Sequence, residues 1–233
     1  MFSGKRSRGI AAAVAAIAVA AGSYGIVTAT SGSAATPAAS SSPAGGFGSG
    51  GASNARSGPA AGGSSGTVSR LISSGFTLTT SAGEKLTIKE TSSTTYQKGT
   101  SPATASAVTS GEPVLVLGTA DSTTVTATQV IVQPPSSSAS NPGGQVIPYA
   151  KGEQGSSEQV GQIPADYTQG SGTIVSGTAA DKATEAALAA YPGGLVDRVV
   201  ELSNGQYEVH YIGVNWPHHI FVNQDFQVIG ADD

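Results

Sequence analysis

Three histidines fall within ten residues near the C-terminus: His210, His218 and His219. Imidazoles at that separation can meet across a hairpin and bind Zn2+, Cu2+ or Ni2+, and Glu208 would share a strand face with His210. These three are the candidate metal ligands, with a divalent metal as the cofactor they would hold. Adjacent strand residues point to opposite faces, so His218 and His219 would serve different centres if a strand starts there. The competing reading is three ordinary surface or structural histidines and no cofactor. Trp216, the only tryptophan, stands between Asn215 and Pro217 in a loop-like stretch. With His218 it is the candidate partner-binding pair, because an exposed aromatic anchors an interface at low entropic cost. Against that, the indole could instead fold over the end of a small core.

Catalysis finds little material. The chain has no cysteine, which removes thiol nucleophiles, disulfides, cysteine-ligated iron–sulfur clusters and a lipidated-cysteine anchor. It has no His-Glu-x-x-His helix, phosphate-binding glycine loop or nucleophile elbow. Asp181 and Glu185 share one side of a helical stretch, where solvent contact and capping are the expected uses. The serines lie mostly in low-complexity tracts that fix no base beside them. No catalytic or cofactor-binding residue is assigned, and a non-enzymatic protein is expected.

The segments that must position these residues are unevenly built. Of 233 residues, 32 are Gly and 12 Pro, while 11% are charged against about 25% in an ordinary globular protein. Two small domains joined by low-complexity chain fit this better than one large core. Lys5, Arg6 and Arg8 precede an uncharged run from Ile10 to Ala29, the pattern of an export leader. Residues 1–30 are therefore read as a signal peptide or a membrane anchor. Val27-Thr28-Ala29 offers a cleavage site, and residues 9–29 would hold the chain to the membrane if uncleaved. Beyond Arg8, 8 basic residues face 15 acidic ones. That balance, without a basic cluster, argues against a nucleic-acid partner.

Residues 31–65 are almost wholly Gly, Ala, Ser, Pro and Thr and are expected to form a disordered tether. From Gly66 the pattern has period two. Phe76-Thr77-Leu78-Thr79 and Leu86-Thr87-Ile88 flank a turn, Val114-Leu115-Val116-Leu117 suits a strand covered on both faces, and Val125 to Val132 supplies another. Residues 66–133 are thus expected to be an all-β domain, a small barrel. Gly66-Thr67-Val68, the Phe76-to-Ile88 hairpin, Gly111 and the strands Val114–Gly118 and Ala127–Val132 resemble a small OB-like bacterial envelope domain of unknown function. The resemblance implies no active residue. Residues 134–171 read as a linker in which Val146–Tyr149 and Ile163–Tyr167 could pack locally.

Residues 172–233 read as an α+β unit. Thr178 is expected to cap a helix whose buried side carries Ala180, Ala183, Ala187, Leu188 and Tyr191, and Pro192-Gly193-Gly194 stops it. Val196, Val200 and Leu202 are expected on one side of the next strand. Asn204-Gly205 predicts a two-residue hairpin with positive φ at both positions. Ala183–Tyr191, Pro192–Gly194, Val196–Glu201, Tyr207–His210 and Val222–Val228 together resemble a PepSY-type domain, one helix packed on an antiparallel sheet. That resemblance implies an accessory module that restrains a peptidase or binds an envelope ligand. The expectation is therefore a non-enzymatic exported or membrane-anchored envelope protein binding an unidentified protein or peptide. The alternatives are a structural spacer or assembly protein, and a metal-binding protein using the C-terminal histidines.

Overall fold

The computed structural model describes residues 58–134, 158–213 and 217–233. Among them are thirteen strands and one α-helix. The first seven strands are β1 (Ala60–Ile72), β2 (Gly75–Thr79), β3 (Lys85–Lys89), β4 (Thr95–Lys98), β5 (Ser101–Ala103), β6 (Pro113–Asp121) and β7 (Thr124–Val132). Then come β8 (Gln159–Gly161), β9 (Thr173–Ile174), α1 (Thr178–Ala190), β10 (Leu195–Glu201), β11 (Tyr207–Ile212), β12 (His219–Val222) and β13 (Val228–Asp232).

Five strands close into a barrel in the order β1-β2-β3-β7-β6 and back to β1, with β3 and β7 parallel and the other pairs antiparallel. The period-two residues fill it. Phe76, Leu78, Ile88, Val114, Val116, Val125 and Val130 are all fully buried there. The run Val114–Leu117 is continuously apolar for a specific reason. Val114 and Val116 face the barrel core, while Leu115 and Leu117 belong to a second core that contains the helix.

That second core overturns the expectation of two small domains on flexible tethers. The sheet runs unbroken from the barrel into the C-terminal half, because β1 pairs with β10 through Gly63↔Val196 and Ser64↔Leu195. The same two residues pair on their other side with Leu117 and Val116 of β6. Residues 60–65, expected in the tether, are therefore the central stretch of the sheet. Their composition reflects close packing rather than disorder. A Cβ on Gly62 would lie 2.0 Å from the Val196 carbonyl oxygen, and one on Gly63 would lie 2.2 Å from that of Val116. Ser64, fully buried, donates its hydroxyl to the Gly194 carbonyl at 2.7 Å. The expected linker is also partly structural: β8 pairs with β13, and Ile163 and Tyr167 pack on Val200, Leu202 and Phe221.

In the C-terminal half, β10-β11-β12-β13-β8 form an antiparallel succession, with β9 beside the second part of β10. Helix α1 lays Ala183, Ala187, Leu188 and Tyr191 on Val196, Val209, Tyr211 and Ile220. Small alanines let helix and sheet approach closely. Thr178 does not cap the helix: Gly177 is the N-cap, at φ 73°, with no side-chain cap bond. A bulge between Val196 and Arg198 shifts the alternation of β10. Val196 and Val199 consequently face the helix, while Val200 and Leu202 turn to the opposite side with Phe221. At the Asn204-Gly205 turn only Gly205 has positive φ. The backbone bonds Leu202 N to Gln206 O and Gly205 N to Leu202 O define a three-residue loop, so Asn204 needs no left-handed conformation.

The leader (residues 1–30), residues 31–57 of the expected tether, Val146–Tyr149 and Trp216 lie outside the described residues. Among the described residues no helix is long and apolar enough to cross a membrane. The transmembrane reading therefore draws no support from the fold.

Candidate functional site

Strand register puts two rows of unusual residues on the sheet face away from the helix. Arg198 pairs with His210, His210 with His219, and His219 with Asp232. In the adjoining row Val200 meets Glu208, and Glu208 meets Phe221. Alternation along β11 explains the division: Val209 and Tyr211 enter the helix-facing core, leaving Glu208, His210 and Ile212 on the other side. The β10 bulge adds a further group. It brings Asp197, 2% exposed, against His210, whose Nδ1 lies 2.5 Å from the Asp197 Oδ1.

A second pair is buried beside the first. His219 Nδ1 lies 2.8 Å from Glu208 Oε1, and the two residues are 6% and 3% exposed. Two imidazoles are thus each held through Nδ1 by a buried carboxylate, which fixes ring orientation. Arg198 is also buried, and its Nε has no hydrogen-bond partner. Tyr167 covers this region, 5.7 Å from the His219 ring and edge-on to Phe221 at 4.7 Å. Burial raises its phenol well above the usual tyrosine range; nearby Glu208 and Asp232 add to the shift and Arg198 opposes it. Burying so many ionisable groups costs desolvation energy, which pairing only partly returns.

His218 joins this group by a route that strand alternation does not describe. The strand begins at His219, so His218 sits in the preceding bend and is not obliged to face away. Its ring stacks with that of His210 at 6.1 Å between centroids and lies 6.4 Å from that of His219, while His210 and His219 are 5.4 Å apart. All three histidines singled out in the sequence therefore meet. As placed, no group of three or more His, Cys, Asp or Glu side chains among the described residues is arranged to hold a metal ion. Trp216, the other partner-binding candidate, lies outside the described residues.

Asp197, Arg198 and Tyr167 were not singled out by the sequence. Asp197 and Arg198 sit in an apolar strand whose bulge leaves no mark in residue types. Tyr167 belongs to a segment without periodicity, read from the sequence only as a stretch that could pack locally. Two surface cavities lie elsewhere. One of about 310 Å3 is lined by Asp166, Thr173, Glu201 and Ser203 among others, and one of about 430 Å3 by Pro59, Ala61, Thr119 and Ile174 among others. In the first, Asp166 accepts hydrogen bonds from Ser203 and from Asn204, the latter at 2.9 Å, which ties the Ile163–Tyr167 segment to the β10–β11 loop.

No protein-family model matches this chain, and neither a curated protein nor a solved structure does. The resemblances to an OB-like domain and a PepSY-type domain are therefore corrected along with the two-domain reading. Both treated as separable units what is one cross-linked sheet with a single helix. The spacing of apolar residues and turns that carried them is common to many β-rich arrangements.

Proposed function

We propose that the protein is exported and acts as a binding protein without chemistry of its own, engaging a protein or peptide of the cell envelope. The binding surface would be the sheet face away from the helix, where His210, His218 and Ile212 come to the surface. One observation carries this reading. Ile212, 41% exposed, shares its side of β11 with a histidine that a buried aspartate holds in place. An exposed apolar side chain beside oriented imidazoles combines contact area with directional hydrogen bonding at little entropic cost. Export rests on Lys5, Arg6 and Arg8 ahead of the uncharged run to Ala29.

A photoreactive amino acid at position 212, compared with one at the exposed Leu71 of the barrel, tests the surface in intact cells. A discrete adduct at 212 and none at 71 is expected. Equal labelling at both positions, or none at 212, would leave the protein a spacer. Protease added outside intact cells should degrade the chain, and a fully protected cytoplasmic chain would overturn export.

A further inference from the structure

We propose that Arg198 is the point on this face that receives a carboxylate of the bound peptide, either its C-terminal group or an acidic side chain. The inference rests on the binding face proposed above and names the group that face would recognise. Arg198 is 8% exposed, and its Nε is enclosed without a hydrogen-bond partner. A guanidinium keeps its charge throughout the pH range of a folded protein. Leaving such a donor unpaired in the interior costs more than leaving a neutral one. Among the described residues no ion pair includes Arg198. The carboxylates around it already have partners. Asp197 meets His210 at 2.5 Å, Glu208 meets His219 at 2.8 Å, and Asp232 accepts from Gln159 Nε2 at 3.2 Å.

The place of Arg198 in the sheet fits a ligand independently of its charge. β1 pairs with β10 only at Leu195 and Val196, and β9 only at Val200 and Glu201, so Arg198 stands at the junction between those two strands. On its other side it pairs with His210, whose side chain is 20% exposed. The orphaned atom sets the geometry of what would bind. Nε and the Nη beside it form a two-donor edge, which a planar carboxylate meets with two parallel hydrogen bonds. One negative charge suits the surroundings better than the two of a phosphate, because Glu208 and Asp232 act on the same Tyr167 phenol as Arg198 does. In the rival arrangement Arg198 takes no ligand, and those two carboxylates offset its charge from a distance.

The full-length protein is titrated with sodium acetate, with sodium chloride at equal ionic strength as the control. The Arg198 Nε–H resonance in heteronuclear NMR spectra should shift saturably with acetate and not with chloride, at a Kd on the order of 1–10 mM for so small a ligand. N-acetylglycine, which carries a C-terminal carboxylate, and the α-amide of N-acetylglutamate, which carries an acidic side chain, then separate the two sources by which binds tighter. Arg198→Lys keeps the charge without the two-donor edge and should weaken acetate at least about tenfold. Arg198→Met should abolish the response and leave the protein no less stable, since an apolar chain replaces an unpaired charge. An Nε–H that acetate leaves unmoved, or that chloride moves equally, overturns the proposal, as does a response that survives Arg198→Met. The adduct at position 212 in intact cells should be lost in Arg198→Met. Its persistence there overturns carboxylate recognition and leaves the binding face standing, whereas an acetate response with no adduct at 212 in the unsubstituted chain supports the carboxylate site and overturns the partner reading.

Discussion

The barrel and the helix-covered half use the same strand chemistry and bury different things. In the barrel, the buried polar side chains are uncharged: Ser64, Thr80 and Thr94. Thr94 satisfies its hydroxyl on the Ala127 carbonyl at 2.8 Å. In the C-terminal half, Asp197, Arg198, Glu208 and His219 are all buried, and all lie on the sheet face away from the helix. An apolar barrel achieves stability with local patterning. A buried ionic face gives up stability relative to an apolar one and is kept for what it specifies or binds. The two halves nevertheless share β1, so the difference in chemistry is not a difference between independent folding units.

The sharpest way to break the comparison is at that shared strand. Gly62→Ala puts a Cβ against the Val196 carbonyl oxygen, 2.0 Å away, and neither strand can retreat without disturbing β6 or β11. A loss of about 4–5 kcal/mol or outright unfolding is expected, at the extreme of single-substitution effects. Thermal unfolding followed at tyrosines of the two halves should move together. Tyr96 of the barrel retaining its transition while the C-terminal half melts early would restore the two-domain picture.

Next in size is a paired test of what each half buries. Glu208→Ala removes one partner of a buried pair and should cost about 3–5 kcal/mol. Thr94→Ala in the barrel loses a neutral hydrogen bond and should cost about 1 kcal/mol. Glu208→Gln keeps an acceptor for His219 and should fall between them. Chemical denaturation of the three variants provides the comparison, and equal losses would erase the distinction between the halves.

Alkaline pH separates the halves more gently. Burial raises the phenols of Tyr167, Tyr191 and Tyr211 in the C-terminal half, Tyr191 to about 12, and raises that of Tyr96 in the barrel by a smaller amount. An unfolded tyrosine loses its proton near pH 10. The unfolded chain therefore releases protons first, and stability falls as pH rises past about 10 until the folded phenols titrate. For Tyr191 that window runs from about 10 to about 12. Phenolate absorbance should show Tyr167, Tyr191 and Tyr211 titrating after Tyr96. All four titrating together near pH 10 in a folded protein would contradict this burial.

Legibility followed the same divide between patterned and unpatterned chain. The Phe76–Ile88 hairpin, the doubly covered Val114–Leu117 strand and the buried side of the helix could be read from residues because apolar spacing marks them. The first half of β1 could not. Gly, Ala and Ser at positions 60–66 carry no period, and the composition that permits close strand approach is also that of a tether. Missing that stretch severed the sheet and produced two domains where there is one. At the site, the three histidines stood out by type, but their meeting depended on where β12 begins. Asp197 was hidden by a bulge, a backbone event that residue types do not announce.

The smallest effect bears on what holds the helix, the element that distinguishes one half from the other. A threonine at the start of an amphipathic stretch reads as a cap, and losing a capping threonine costs about 1 kcal/mol. Here Thr178 is the first helical residue and is exposed, Gly177 occupies the cap, and Asp181 N–H bonds to the Gly177 carbonyl at 2.9 Å. Thr178→Ala should therefore change stability by no more than about 0.5 kcal/mol, and in the stabilising direction, since alanine is the better helix former. Gly177→Ala should cost about 1 kcal/mol, because φ 73° is strained for any residue with a Cβ. The order of the two variants in thermal melts decides the matter. If Thr178→Ala is the more damaging, Thr178 is the cap after all; the opposite order assigns the cap to Gly177, whose positive φ glycine adopts without strain.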